Sequence, residues 1–229
     1  MGLAHSPKLP DGIILCLDAA NPKTQSTSNF PDLITGKNAQ VLGSPILSSG
    51  NFNYFSYDGI DDAHRVDLIM GYGMTVITVA RSQTDLWNDI SGLGSNREPN
   101  GYIIHNNSGS TAIDYYIIGN AIQSYTFIGN HNPGSVITNW NMYGISTNGN
   151  NSHKAYFNGS VVINNSSGLS VSRNNPNTVI STDSIAEDSD QIPSRKNAID
   201  IAYHAIWDRQ LSDGEISDMY RYLQTRFGV

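Results

Sequence analysis

The chain has 229 residues, the size of one large all-β domain, with 38 % hydrophobic residues, enough for a core, and only 14 % charged residues against about 25 % in an ordinary soluble protein. Twenty acidic and 13 basic residues give a net charge of −7 with no basic run, which excludes the footprint of a phosphate-backbone binder; nucleic acid is not an expected partner. Together 25 Asn, 27 Ser and 21 Gly make close to a third of the chain turn-forming, which excludes a helical bundle, and no apolar run approaches the ~20 residues of a membrane helix.

Residues 1–10 read as an extended N-terminal arm. It carries His5, Lys8 and two prolines rather than a basic region leading into an apolar one, so no secretory signal is expected. The loose myristoylation pattern from Gly2 to Ser6 is read as chance. Residues 11–229 show no linker and no fixed-period repeat, and read as one domain. The apolar stretch 13–18 is the first strand, and Cys16 within it is the sole cysteine, expected to be a buried, inert thiol with no disulfide partner in the chain. Further strands are expected at 52–57, 65–68, 74–81, 101–105, 113–118, 125–128, 136–147, 154–157, 160–163, 179–182 and 198–207. In 136–147, alternation puts Val136, Thr138, Trp140 and Met142 on one face, which makes Trp140, like Trp207, an expected core anchor. Residues 198–207 are apolar on both parities, the pattern of a central strand covered on both faces.

Asn158-Gly159 predicts a two-residue hairpin between Phe157 and Ser160. Asn158, Asn164 and Asn165 also head N-x-S triplets, read here as turns. The chain closes on a helix. Ser212 and Glu215 form a capping box, Leu211 and Ile216 are spaced as a staple, and Ile216, Met219, Tyr220, Leu223 and Phe227 make one apolar stripe ended by Gly228.

Four segments, in order, resemble one family. They are the opening stretch from Asp11 to Pro22, the turn Tyr57-Asp58-Gly59-Ile60-Asp61-Asp62, the tryptophan strand from Trp140 to Ser146 with the hairpin from Ala155 to Gly159, and the closing strand and helix from Ile199 to Ile216. Together they are similar to the concanavalin A-like lectin and glucanase superfamily, in its laminin-G-like jelly-roll branch, of the kind found in bacteriophage and especially cyanophage virion proteins. The stretch 92–132 matches nothing in that pattern, and 191–197 lacks the glycine usual before the closing strand.

The resemblance implies an all-β fold: a two-sheet antiparallel jelly-roll sandwich with one C-terminal amphipathic helix running from its cap Ser212 to Phe227. It implies a non-catalytic virion structural protein, a capsid decoration protein or a tail or fibre component. Such a protein would be made in the host cytoplasm, be present in many copies or as a homo-oligomer, and contact other virion proteins. Leu3, His5, Pro7 and Lys8 of the arm are the expected attachment residues. The alternative is a lectin-like module for host-surface glycans, with Trp87, Tyr115 and Tyr116 as exposed aromatic platforms. A glycoside hydrolase is a second and disfavoured alternative. Such enzymes of the superfamily need two close carboxyls on one strand face, and the three glutamates, Glu98, Glu187 and Glu215, sit in two loops and a helix cap. No Gly-x-Ser-x-Gly elbow occurs, and His105, His131 and His153 lie in or beside Asn-rich turns, where they read as solvated.

No cofactor is expected, with Ca²⁺ as the one candidate. Asp58, Asp61 and Asp62 are the residues that could supply it with oxygens, and the preferred reading is that they hold a tight turn by bonding local amides. The acidic loop of Glu187, Asp188 and Asp190 reads as solvated.

Overall fold

The computed structural model describes residues 9–24, 30–58, 62–67, 73–83, 100–106, 113–118, 121–124, 127–131, 138–148, 151–166, 177–180 and 198–229. Among them the strands are β1 (Ile13–Asp18), β2 (Phe30–Pro31), β3 (Asn38–Leu42), β4 (Ile46–Ser49), β5 (Asn53–Asp58), β6 (Ala63–Asp67), β7 (Met74–Ser82), β8 (Asn100–Asn106), β9 (Ile113–Ile118), β10 (Ala121–Ser124), β11 (Phe127–His131), β12 (Asn141–Thr147), β13 (His153–Phe157), β14 (Ser160–Asn165), β15 (Asn177–Ile180) and β16 (Ala198–Trp207). One helix, α1 (Asp213–Phe227), follows. The first sheet has the order β14-β13-β12-β7-β16-β5-β4, with β1 also on β16; the second has the order β11-β10-β9-β8-β15-β6-β3-β2. The chain is an all-β sandwich of two antiparallel sheets with one C-terminal helix.

β16 organises the first sheet. One of its edges pairs with β7 along nearly its whole length, and the other is shared, Ala198–Ile201 facing β5 and Tyr203–Trp207 facing β1. The register shifts between Ile201 and Tyr203, so the parity of the strand reverses there. Ile199 and Ile201 before the shift, and Ile206 after it, enter the core between the sheets, whereas Tyr203, Ala205 and Trp207 face the helix. That reversal is why both parities of 198–207 are apolar.

Between the sheets lie Leu17, Phe30, Phe55, Tyr57, Met74, Val76, Tyr143, Ile145, Ile163 and their neighbours. Two histidines are buried with this core. His64 Nδ1 and the Tyr57 hydroxyl are 2.8 Å apart, and His204 Nδ1 and Thr78 Oγ1 are also 2.8 Å apart. The sandwich is closed at one side by the bridge between Leu17 and Asp32, where the Asp32 carboxylate accepts from the Cys16 amide at 2.9 Å. Cys16 is buried, and burial pushes its thiol pKa up to about 12, so it is the inert thiol its apolar setting predicts.

The outer face of the first sheet is covered by α1. Ser212 caps it through the Glu215 amide, Glu215 returns the bond to the Ser212 amide, and Gly228 ends it in the left-handed conformation at φ 70°. Leu211, Ile216, Met219, Leu223 and Phe227 pack on Ile77, Val79, Met142, Tyr203 and Trp207. Arg226 in the last turn reaches back to Asp18 at 2.7 Å, where the buried carboxylate gives it a partner. The N-terminal side joins the same layer: Leu9 packs against this cluster and the Trp207 indole donates to the Pro10 carbonyl at 3.1 Å.

Three expectations need correction. Of the strand expected over 136–147, positions 136 and 137 lie outside the described residues, and among the described ones it begins at Asn141, because the Asn141 carboxamide bonds the Asn139 carbonyl at 2.8 Å and ties 139–141 into a local loop. Thr138 is exposed, and Trp140, half-buried just outside the strand, packs against the edge of the core cluster under the helix rather than within it, whereas Trp207 is wholly buried there. His153, expected to be solvated, is fully buried in β13; it faces Thr147 across the hairpin, with Oγ1 and Nδ1 2.8 Å apart.

Candidate ligand-binding groove

The helix does not cover the whole outer face of the first sheet. It starts beside Thr75, whose hydroxyl oxygen accepts from the Leu211 amide at 2.8 Å, and ends where Phe227 meets Phe52. Fifteen helical residues span about 22 Å, while the nine residues of β7 span about 30 Å. On the parity of Ile77 and Val79, Arg81 is therefore the outward residue left beyond the helix end. It forms, with Trp140, Asn139, Asn141, Phe157, Asn158, Thr138 and Gly228, an open groove of about 590 Å³.

Trp140 and Arg81 make its floor. The Arg81 guanidinium carbon lies 4.8 Å from the Trp140 ring centre and 5.1 Å from that of Tyr54, within cation–π range of both. Trp140 in turn meets Tyr54 at 5.3 Å and Phe52 at 5.0 Å, both edge-on. Arg81 Nε donates to Asp200 at 2.8 Å; the other Asp200 oxygen accepts from Gln83 Nε2, also at 2.8 Å. The Asp200 side chain is 5 % exposed and that of Arg81 34 %, so the pair has a buried anchor and a half-open head.

A chain of carboxamides makes the polar wall. Asn158, in the tight turn between β13 and β14, accepts from the Met142 amide at 2.8 Å and donates from Nδ2 to the Asn141 carboxamide oxygen at 3.0 Å. Its φ of 47° and the 76° of Gly159 give the Asn-Gly hairpin the backbone that its sequence predicts. Stacking surface, a fixed guanidinium and locked amides thus converge on one solvent-open site.

The fold recurs in known proteins. No family model and no curated protein matches this sequence. Among solved structures, the chain is similar to the receptor-binding domain of the botulinum neurotoxin C/D mosaic serotype, with a TM-score of 0.67 and 18 % identity over 92 % of this chain and 51 % of that one. It is similar as well to a botulinum neurotoxin type C structure (TM-score 0.64, 18 % identity, 93 % and 52 %) and to the binding domain of botulinum neurotoxin DC (TM-score 0.66, 18 % identity, 93 % and 52 %). The likeness is one of fold. The chain spans about half the length of each structure it matches.

Among the described residues, the site residues singled out in the sequence do not line the groove. Trp87 lies outside the described residues, as do Leu3, His5, Pro7, Lys8, Glu98, Glu187, Asp188 and Asp190. Tyr115 and Tyr116 are in β9 of the second sheet, opposite Ser124 and Gln123. Asp58 ends β5, exposed; Asp61 is outside the described residues; Asp62 is buried and accepts from the Ser44 amide at 2.6 Å and the Asp58 amide at 3.1 Å. Among the described residues no cluster of three His, Cys, Asp or Glu could hold a metal. Glu215 is spoken for by the helix cap and by Arg209. A second hollow, of about 270 Å³, lies between Leu9, Pro10 and Asp11 and the helix, and its charged pair, Arg209 and Glu215, is closed on itself.

Trp140 is the functional candidate the sequence reading missed. The available signal was Asn139 and Asn141 flanking the ring, since two Asn residues favour a local turn over a continued strand.

Proposed function

We propose that this chain is a non-catalytic glycan-binding module whose site is the groove of Trp140 and Arg81. The observation that carries the reading is the half-buried Trp140 ring lining the same solvent-open groove as Arg81, Asn139 and Asn158, of which Arg81 and Asn158 are held by the fold. Saccharides need that combination: an apolar surface for the CH face of the ring and a few fixed donors and acceptors for its oxygens. Preorganisation keeps the ordering cost of binding low, because Asn158 and Arg81 are already tied to Met142 and Asp200.

The fold relatives support a binding role rather than a catalytic one. They are receptor-binding domains; cell entry of the type C toxin depends upon interaction with two ganglioside molecules, and the DC binding domain is solved in complexes with SialylT and with rat synaptotagmin II. Those structures are not virion proteins, so the support goes to the lectin-like alternative. In the virion setting that the resemblance implies, the same groove would face host-surface glycans.

The experiment is a saccharide panel read by calorimetry on the parent chain and on Trp140→Ala. One or more saccharides should bind the parent, and the variant, with its fold checked by far-UV circular dichroism, should lose at least about tenfold in affinity, the 1.4 kcal/mol of a lost stacking contact. Equal binding by parent and variant would remove the groove from the reading. A panel without any binder would remove the glycan.

A further inference from the structure

We infer that the groove selects saccharides carrying an anionic oxygen group, a carboxylate or a sulfate, and that Arg81 is the residue that contacts it. The inference rests on the glycan-binding reading above and narrows it.

Donors and acceptors around the floor are unequally engaged. Several acceptors already take one bond inside the fold: Asn158 Oδ1 from the Met142 amide, Asn141 Oδ1 from Asn158 Nδ2, the Asn139 carbonyl from Asn141 Nδ2, and the two Asp200 oxygens from Arg81 and Gln83. Donors remain. Arg81 uses Nε on Asp200, and its Nη2 has only a 3.4 Å contact with the Tyr54 hydroxyl, which leaves the Nη1–Nη2 end for a ligand. Asn158 Nδ2 carries a second hydrogen beyond the one given to Asn141. A neutral sugar brings hydroxyls that share donor and acceptor roles, whereas the one charged group open to the groove, the Arg81 Nη1–Nη2 end, only donates. A carboxylate or sulfate only accepts, so it fits what the wall offers.

The guanidinium is also held in one plane. It lies over Trp140 and Tyr54 and is pinned at Nε, so its free end is a rigid fork, the geometry that binds two oxygens of one anion in parallel. Asp200 cancels the formal charge but sits behind the fork with both oxygens occupied; it is a positioning residue. The chain's net charge of −7 opposes an anion at long range, so the selectivity must come from these short contacts.

The test uses sugars that differ only in the group in question: glucose, glucuronate and glucose 6-sulfate, and the matching galactose set, titrated into the full chain and followed by ligand-observed NMR. The expected result is that an acid member binds about tenfold or more tighter than its neutral parent. Preference for the uronate or for the sulfate identifies the source of the anion. Arg81→Gln should bring the ratio near one while Arg81→Lys keeps part of it, and Asp200→Asn should lower it with the charge at position 81 intact. Circular dichroism checks the fold of each variant, and Arg81→Lys keeps the test open if Arg81→Gln fails to fold. Equal affinity for neutral and acid sugars, both lost in Trp140→Ala, would overturn the anion selectivity and leave the glycan site standing. No binding of any of the six at tens of millimolar would overturn both.

Discussion

The Tyr57 hydroxyl and His64 Nδ1 share a 2.8 Å hydrogen bond that joins β5 of one sheet to β6 of the other through the dry centre of the sandwich. His64 is ringed by Phe30, Phe55 and Tyr57, and its Nε2 has no partner among the described residues. His204 repeats the arrangement with Thr78, its Nε2 likewise without a partner. Burial lowers the pKa of both to about 3, against 6.5 in an open chain.

Acid should therefore unfold this protein through its histidines. Between about pH 6.5 and pH 3 the unfolded chain binds protons that the folded one refuses. The stability is complete above 6.5 and falls with pH by about 1.4 kcal/mol per unit per histidine. Urea midpoints at pH 7.5, 5.5 and 4.5 should drop steadily in the parent, and His64→Phe should show a clearly shallower drop. A flat profile in the parent would mean the two imidazoles find water.

Glycine substitutions should separate backbone strain from crowding. Gly36 and Gly159 both have φ near 75°, but a methyl group on Gly36 meets nothing within 4 Å, whereas on Gly159 it lands 2.8 Å from the Tyr220 ring. Gly36→Ala should cost about 1 kcal/mol, the price of a left-handed alanine, and Gly159→Ala clearly more because the helix must shift. Thermal melts of the two variants should thus differ, Gly159→Ala melting lower.

Residues near one another in sequence were the legible ones. The capping box of Ser212 and Glu215, the Asn158-Gly159 hairpin and the two-faced apolar strand β16 each follow from a few adjacent positions, and each is present. β2, β3 and β4 are not legible, for they have few or polar residues, and β3 is held in the sheet by a partner far along the chain, Gln40 facing Arg65 in register. The groove is illegible for the same reason. Arg81, Trp140, Asn158 and Gly228 come from four separate stretches, and period-two alternation carried one residue too far turns Trp140 from a floor into a core residue.

Truncation should reveal what the Pro10 carbonyl contributes. The Trp207 indole, wholly buried, donates to the Pro10 carbonyl, and Leu9 packs in the helix layer. Removing residues 1–8 keeps both contacts and serves as the reference. Removing 1–10 leaves a buried N–H without its acceptor and should cost about 1–3 kcal/mol. Equal melting of the two truncations would show that water replaces the Pro10 carbonyl.

Glu215 links the helix start to the groove at the other end. Arg209 donates to both of its oxygens, at 2.5 and 3.1 Å, and the Ser212 amide adds a third bond, and these contacts hold its pKa near 2 against 4.5. A carboxyl depressed in the folded state stabilises above its unfolded pKa, so this contribution is complete above about 4.5 and is lost as pH falls toward 2. Glu215→Gln should melt lower than the parent at pH 7, and the gap should narrow as pH falls below about 4.5 while the parent is still folded; Ser212→Ala should cost about 1 kcal/mol at pH 7. Because Phe227 packs on Phe52 and Phe52 on Trp140, fraying of the helix reaches the groove floor. In Glu215→Gln the saccharide affinity should hold below the melting transition and vanish with the helix signal, whereas affinity that outlasts the helix would detach the groove from it.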